Sequence, residues 1–201
     1  MRHSKVAVFV ISGLLTAVMA GRAQEKKAPA PEKKAPAPEK KMEAPKPGPE
    51  IKRLGYFVGT WKTEADIKPN PMMPAGKMTG TDKCEWFQGG FHVVIHSTGK
   101  SPMGPMHGLG IIAYNSEDKV YTYYGIDNMG FAELSKGTVD GKNWLYTSDS
   151  KMGGKTYHGR YSMVEESPAS YTFKYEMSED GKSWTLVMEG KSSKAAAAEK
   201  K

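Results

Sequence analysis

The chain contains a single cysteine, Cys84, among its 201 residues, so it can form no internal disulfide bond. It also lacks common catalytic signatures: no Gly-x-Ser-x-Gly, no phosphate-cradling glycine loop and no His-Glu-x-x-His is present. No segment after Trp61 carries the apolar period of an amphipathic helix. These absences argue against a helical domain and make an enzyme the minority interpretation. Cys84 itself is expected to be a small, packed apolar residue rather than a nucleophile.

The net charge of +7 is distributed unevenly along the chain. Between Leu54 and Gly190 there are 13 Lys and Arg residues against 16 Asp and Glu residues, so this segment is acidic. The positive charge lies before it and in the tail from Lys191 to Lys201. Because phosphate contacts need a basic face, we predict no nucleic-acid partner.

The first 23 residues have the pattern of a secretory signal peptide. A basic start precedes an apolar run of about 15 residues, Val6–Ala20, which is short for a membrane span. Small residues allow cleavage after Ala20 or Ala23. We therefore expect export to the periplasm or the extracellular space, with an uncleaved anchor as the alternative.

Residues 24–50 form a low-complexity Lys/Pro/Ala segment in which a seven-residue unit starting at Glu25 recurs at Glu32. Frequent proline and the lack of apolar residues predict a disordered, extended tether. Its lysines could touch an anionic envelope surface, although a plain spacer is the favoured interpretation. Residues 192–201 are expected to be a disordered Lys/Ala tail.

Ten segments with strand character fill residues 51–191, which are interpreted as one domain. Turn sequences such as Gly89-Gly90, Asp140-Gly141 and Gly153-Gly154 separate them. Even spacing with short turns indicates a meander, and closure would remove its two exposed edges. The expected fold is an all-β, up-and-down antiparallel barrel of about ten strands. The segments are Trp61–Ile67, Lys77–Phe87, Phe91–Thr98, Met106–Tyr114, Val120–Asp127, Phe131–Val139, Asn143–Ser148, Thr156–Glu165, Tyr171–Met177 and Ser183–Glu189.

Gly59-Thr60-Trp61 opens the first strand and resembles the Gly-x-Trp signature of lipocalins and other calycins. With Cys84-Glu85-Trp86-Phe87-Gln88-Gly89-Gly90-Phe91, Gly159-Arg160-Tyr161 and Ser170-Tyr171-Thr172-Phe173, the domain resembles a family of exported bacterial proteins known as a domain of unknown function. That family is similar to lipocalin-like barrels, including the haem-binding nitrobindins. The resemblance implies a calycin-like barrel and brings no established activity.

Period-two alternation places Tyr171, Phe173, Tyr175 and Met177 on one face, which should point inward; Cys84 and Trp86 should do the same. In calycins, a basic residue from a late strand often covers the tryptophan of the first strand. If Arg160 faces inward, the resemblance implies that it stacks on Trp61. The candidate lumen residues are therefore Trp61, Trp86, Arg160, Tyr171, Phe173 and Tyr175.

Metal sites are weakly indicated, and no cofactor is predicted. Met103, Met106 and His107 combine thioethers and imidazole, which suit Cu(I), as do Met72 and Met73 in the preceding loop. His158 is the candidate axial ligand if the barrel held haem. His92 and His96 lie two pleats apart on one strand, about 13 Å at ~3.3 Å per residue, which is too far for a shared metal.

Two functional hypotheses follow. In the first, an exported barrel binds a small apolar or aromatic ligand in its lumen, with the inward aromatic residues as the wall. In the second, a structural or envelope-stress barrel is filled by its own side chains. Cu(I) or haem binding remains a further alternative.

Overall fold

A computed structural model describes residues 44–70 and 74–196. A short helix, α1 (Pro49–Arg53), continues into a 3₁₀ turn, Leu54–Tyr56, and ten strands follow. Within the described ranges, no helix has the length and apolar character needed to cross a membrane. The strands are β1 (Gly59–Ile67), β2 (Gly76–Trp86), β3 (Val93–Ser101), β4 (Gly104–Asn115), β5 (Val120–Asp127), β6 (Ala132–Asp140), β7 (Asn143–Met152), β8 (Lys155–Ser167), β9 (Ser170–Ser178) and β10 (Thr185–Lys194).

The ten strands form a closed, up-and-down antiparallel barrel, as predicted from the sequence. Each strand pairs with its neighbours in the chain, and β1 closes the barrel by pairing with β10 from Trp61–Lys194 to Ile67–Met188. Closure gives every strand two partners, so no edge is left to pair with another chain. The turns match their chemistry: Gly153 and Gly154 join β7 to β8 with φ of 55° and 83°, the positive values that a two-residue hairpin requires.

Register and alternation define which side chains face the lumen. On β1, Trp61, Thr63, Ala65 and Ile67 are buried. On β9, Tyr171, Phe173, Tyr175 and Met177 face inward, as expected. Trp86 lies on the same face of β2 as Cys84, but at the barrel rim beside Gly55, and remains 38% exposed.

The segment just before β1 closes one end of the barrel. Leu54 is fully buried, Phe57 is 8% exposed and Trp61 is 1% exposed. The Trp61 indole donates a 2.6 Å hydrogen bond from Nε1 to the Phe57 carbonyl, and the Tyr56 hydroxyl donates to the Ser170 carbonyl at 2.9 Å. The 3₁₀ turn is therefore tied both to the strand that follows it and to the far half of the sequence.

A buried carboxylate fixes α1 to the same end. Glu165 Oε1 accepts 2.6 Å hydrogen bonds from Arg53 Nη2 and from Trp144 Nε1. The Arg53 guanidinium also lies 5.3 Å from the Trp144 ring centroid, within cation–π range. Glu165 is only 8% exposed, so both of its donors are needed to offset its desolvation.

The expected domain boundaries require correction at both ends. Helix α1 starts at Pro49, and the Tyr121 hydroxyl donates to the Glu50 carbonyl, so the last tether residues belong to the domain. Strand β10 reaches Lys194, three residues past the expected end, because Trp61 to Thr63 of β1 need partners. The predicted signal peptide, residues 24–43 of the predicted tether and residues 197–201 lie outside the described residues.

We predict that Trp61→Ala destabilises the protein by roughly 3–5 kcal/mol, because it leaves a cavity at the closed end. Urea denaturation measures the loss. Trp184→Ala is the matched control, since Trp184 lies on the outer face and should cost less than about 2 kcal/mol. A loss below ~1 kcal/mol for Trp61→Ala would show that this tryptophan does not close the barrel.

We predict that Arg53 and Glu165 are energetically coupled by about 1–3 kcal/mol in a double-mutant cycle with Arg53→Met and Glu165→Gln. The control cycle uses the more exposed Arg160–Glu176 pair, at 2.8 Å, for which ~0.2–1 kcal/mol is expected. Equal couplings in the two cycles would contradict the assigned role of the buried carboxylate.

Candidate ligand site in the barrel lumen

Glycines on the inner wall receive aromatic rings from neighbouring strands. A Cβ at Gly110 would lie 2.8 Å from Tyr123 Cε2, and one at Gly137 would lie 2.5 Å from Tyr146 Cδ1. These contacts are possible only because the glycines have no side chain. The rings therefore lie against the wall instead of extending to the barrel axis.

The lumen is solid at the closed end and retains some space at mid-height. Val93 and Trp61 are 0% and 1% exposed. Ile95, Ser97 and Tyr161 also face inward, yet each retains accessible surface. Side chains inside a closed barrel can be accessible only if there is space beside them, so some space remains at mid-height in the lumen.

One polar group in this space is Asp82. Its Oδ1 accepts a 2.6 Å hydrogen bond from Ser97 Oγ, and its Oδ2 accepts one of 3.4 Å from Thr63 Oγ1. The Thr63 and Ser192 hydroxyls are 2.6 Å apart. Burial raises the pKa of Asp82, while the two hydroxyl donors lower it. The carboxyl is therefore held in place by hydroxyl groups and not by a basic side chain.

A second polar group lies on β6. Burial raises the pKa of Glu133, and a hydrogen bond from Ser148 lowers it. The Ser148 and Tyr175 hydroxyls both lie beside Gly159, where a Cβ would be 2.7 Å from each oxygen. Burial, then the charges of Glu133 and Asp82, raise the pKa of Tyr123 to about 12. Tyr123 thus lies within the electrostatic reach of both carboxyls.

The predicted lumen residues fall at different heights. Trp61 and Tyr171 lie in the floor with ring centroids 5.0 Å apart, and Phe173 stacks on Tyr161 at 5.6 Å. Tyr175 lies higher, beside Ser148. Trp86 lies at the rim of the closed end, so it is outside the open part of the lumen.

The assignment of Arg160 to the lumen is wrong. Arg160 alternates with Gly159 and Tyr161, which face inward, so it projects outward and contacts Glu176 at 2.8 Å and the Trp184 ring at 4.2 Å. Lys194 is the cation near Trp61, with Nζ 5.0 Å from the ring centroid. A guanidinium does cover a buried tryptophan, but it is Arg53 over Trp144.

The predicted metal residues are not brought together in the described part of the chain. Met106 and His107 are consecutive in β4, so their side chains point to opposite faces of the sheet, and Met103 is 47% exposed at the adjacent turn. His158 faces outward and hydrogen-bonds Asp149 at 2.7 Å, so it cannot ligate a haem in the lumen.

No group of three His, Cys, Asp or Glu side chains among the described residues could hold a metal ion. Met72 and Met73 lie outside the described residues. His96 projects outward from β3 and is exposed, and His92 is exposed just before that strand. Burial raises the pKa of the Cys84 thiol to about 12, as expected for a packed residue.

A groove of about 730 Å³ lies on the outside of the barrel, across β8, β9, β10, β1 and β2. Charged side chains line it and pair with one another: Lys77 with Asp66, and Lys191 with Glu64 at 3.6 Å. Lys77 and Lys191 are 81% and 73% exposed. This open, internally paired surface is a weaker candidate than the lumen, where polar groups are desolvated.

The outer face of β3 to β6 carries an apolar row. Val94, Ile111, Tyr124 and Leu134 are successive register partners across these strands, and Tyr124 and Leu134 are 47% and 64% exposed. Contiguous apolar surface of this kind often marks an interaction site. It is separate from the lumen, because these side chains point away from it.

Sequence reasoning missed Asp82, Glu133, Tyr123 and Tyr161. The alternation that predicts an inward Cys84 also predicts an inward Asp82, two residues earlier in the same strand. No face could be assigned to β5 or β6, because β5 is apolar on both sides and the middle of β6 is polar. Arg53 was missed because its partner, Glu165, is 112 residues away in the chain and neither residue carries a local signal for the contact.

The fold is similar to that of solved barrel structures. The crystal structure of Rv2717c from M. tuberculosis is 11% identical, covers 74% of this chain and 99% of its own, and has a TM-score of 0.53. A de novo designed fluorescence-activating β-barrel is 16% identical, with coverage of 71% and 96% and a TM-score of 0.39. An S-type phycobiliprotein lyase from Guillardia theta is 8% identical, with coverage of 73% and 92% and a TM-score of 0.48. At these identities, the similarity to Rv2717c shows the fold alone.

No curated protein matches the chain. Residues 46–194, which include α1 and all ten strands, match the family described as protein of unknown function DUF1579. The resemblance to a domain of unknown function with a calycin-like barrel is confirmed, and the chain belongs to the DUF1579 family.

Proposed function

We propose that this protein binds a small, largely apolar ligand in the upper lumen of its barrel. The observation that carries the proposal is the accessible surface on inward-facing residues at mid-height, Ile95, Ser97 and Tyr161, above a floor that is fully packed. A closed floor and an open upper lumen make a one-ended pocket. Ten strands also enclose more space than the eight of barrels that their own side chains can fill.

The walls have the composition of a small-molecule pocket, mostly apolar with a few polar groups. Tyr123, Tyr161 and Tyr175 offer ring faces, and Met78 and Met188 offer flexible apolar surface near the other end of the barrel. Methionine adapts its shape to different partners, which suits the mouth of a pocket. The structure-filling alternative receives less support, because it requires these inward side chains to be buried.

We further propose that the protein acts outside the cytoplasm, on the basis of the signal-like first 23 residues. In that setting, residues 24–43 would allow the barrel to work at a distance from an envelope surface. N-terminal sequencing of protein purified from the culture medium or periplasm tests this. Recovery of protein that still begins at Met1 in the cytoplasmic fraction alone would contradict it.

The lumen proposal predicts that tryptophan is tolerated at two consecutive positions, one that faces the lumen and one that faces outward. Ile95→Trp places an indole in the open lumen and should cost less than ~1 kcal/mol, whereas a packed lumen would make the same change cost about 1–3 kcal/mol. Val94→Trp, on the outer face, is the matched control for strand propensity. Urea denaturation of both variants gives the comparison.

The same pair tests ligand binding. Ile95→Trp should weaken the binding of an apolar fluorescent dye at least tenfold, while Val94→Trp should leave it within about twofold. Dye fluorescence titration measures both values. If the dye binds equally well to both variants, it does not occupy the lumen; if Ile95→Trp is also strongly destabilised, the lumen is filled and the proposal fails.

A further inference from the structure

The charges that face the lumen are not balanced. Glu133 and Asp82 lie on its wall, and neither belongs to an ion pair formed by residues in the described ranges. The basic side chains at inward register positions are engaged elsewhere. Lys155 pairs with Glu179 at the tip of a hairpin, and Lys194 lies at the closed end over Trp61. Among the described residues, the open lumen therefore has carboxyl groups and no cation to match them.

A buried polar atom beside this space lacks a partner. Tyr146 is 8% exposed and faces inward on β7, and its hydroxyl oxygen has neither accessible surface nor a hydrogen-bond partner among the described residues. A buried hydroxyl left unpaired costs about 1–3 kcal/mol, so it calls for a partner such as a bound molecule or a water. Tyr146 pairs in register with Tyr161, one of the residues that border the open space. This unpaired hydroxyl is a second sign, independent of the two carboxyls, that a polar partner belongs at this height of the lumen.

The surrounding rings favour a positive charge. The Tyr123 ring lies over Gly110 and Gly125, whose register partners are Ile95 and Glu133. Tyrosine faces attract ammonium groups through cation–π contacts, and these contacts are stronger where water is excluded. Carboxylates and hydroxyl oxygens then accept the hydrogen bonds that an ammonium group donates.

We infer that the lumen ligand is an organic cation, an amine or related group attached to an apolar or aromatic body. The inference rests on the proposed function, because it assigns the chemical class of that ligand. The apolar body would lie against Ile95 and the tyrosine rings, and the charged group would lie between Asp82 and Glu133. An anionic ligand of the same shape is disfavoured, since it would bring like charge beside two carboxyls with no basic residue to offset it.

Three probes with an indole body separate the charge from the shape: tryptamine, tryptophol and indole-3-propionate. Isothermal titration calorimetry on the full chain at neutral pH should give tryptamine the highest affinity, at least tenfold above tryptophol, and indole-3-propionate the lowest. Asp82→Asn and Glu133→Gln should each weaken tryptamine binding at least fivefold and change tryptophol binding less than twofold. Glu64→Gln, a carboxylate on the outer face of β1, is the matched control and should change neither.

The outcomes distinguish the two proposals. If tryptophol or indole-3-propionate binds as tightly as tryptamine, and Ile95→Trp blocks that binding, the lumen site stands and the cation inference is overturned. If tryptamine binds and Ile95→Trp does not block it, the cation lies outside the lumen and the inference is also overturned. Absence of tryptamine binding at millimolar concentration overturns it as well, and the stability of Ile95→Trp then decides whether an open lumen exists.

Discussion

The Glu165 carboxylate holds the closed end of this barrel together. It lies on β8, accepts from Trp144 on β7 and from Arg53 on α1, and so joins the late strands to the segment that precedes the first strand. A carboxylate this buried is stable only when its donors are in place. The same floor contains α1, the Phe57 ring packed on Trp144, and Trp61. The positions of all three therefore depend on this contact.

A packed floor has a consequence at the other end. Most of the core lies in the floor, where Leu54, Val93, Trp61 and Trp144 are 0–1% exposed, and a smaller group, Ile67, Met177 and Val187, is buried at the other end of the barrel. The upper lumen is thus not required to supply the main hydrophobic burial. Glycines under the rings of Tyr123, Tyr146 and Tyr175 draw those rings onto the wall, so aromatic side chains line the space without filling it. The floor of the barrel provides most of the stability, and the part above it provides the space in the lumen.

The barrel could be predicted from the sequence because its signals are local. Alternation in β1 and β9, the Gly153-Gly154 turn and the Gly-x-Trp opening each depend on a few neighbouring residues. The site was predicted only in part. Tyr171 and Phe173 face inward as their alternation requires, and parity alone also determines that Asp82 shares the face of Cys84.

The remaining contacts could not be predicted, because they depend on register between distant strands. The stacking partner of Arg160 is an example. Alternation within β8 puts Arg160 on the face opposite Tyr161 and Met163, but nothing within the strand shows that Trp184 lies beside that outer face. The pairing of Arg53 with Glu165 spans 112 residues and has no local signal at all.

Native mass spectrometry of the protein purified from its own host tests the central claim, that a closed floor supports an open lumen that binds a small molecule. The account predicts the mass of the chain together with a single small additional mass, which is lost from Ile95→Trp and retained in Val94→Trp. Chain without added mass in repeated mild preparations, or an added mass that survives Ile95→Trp, would contradict it.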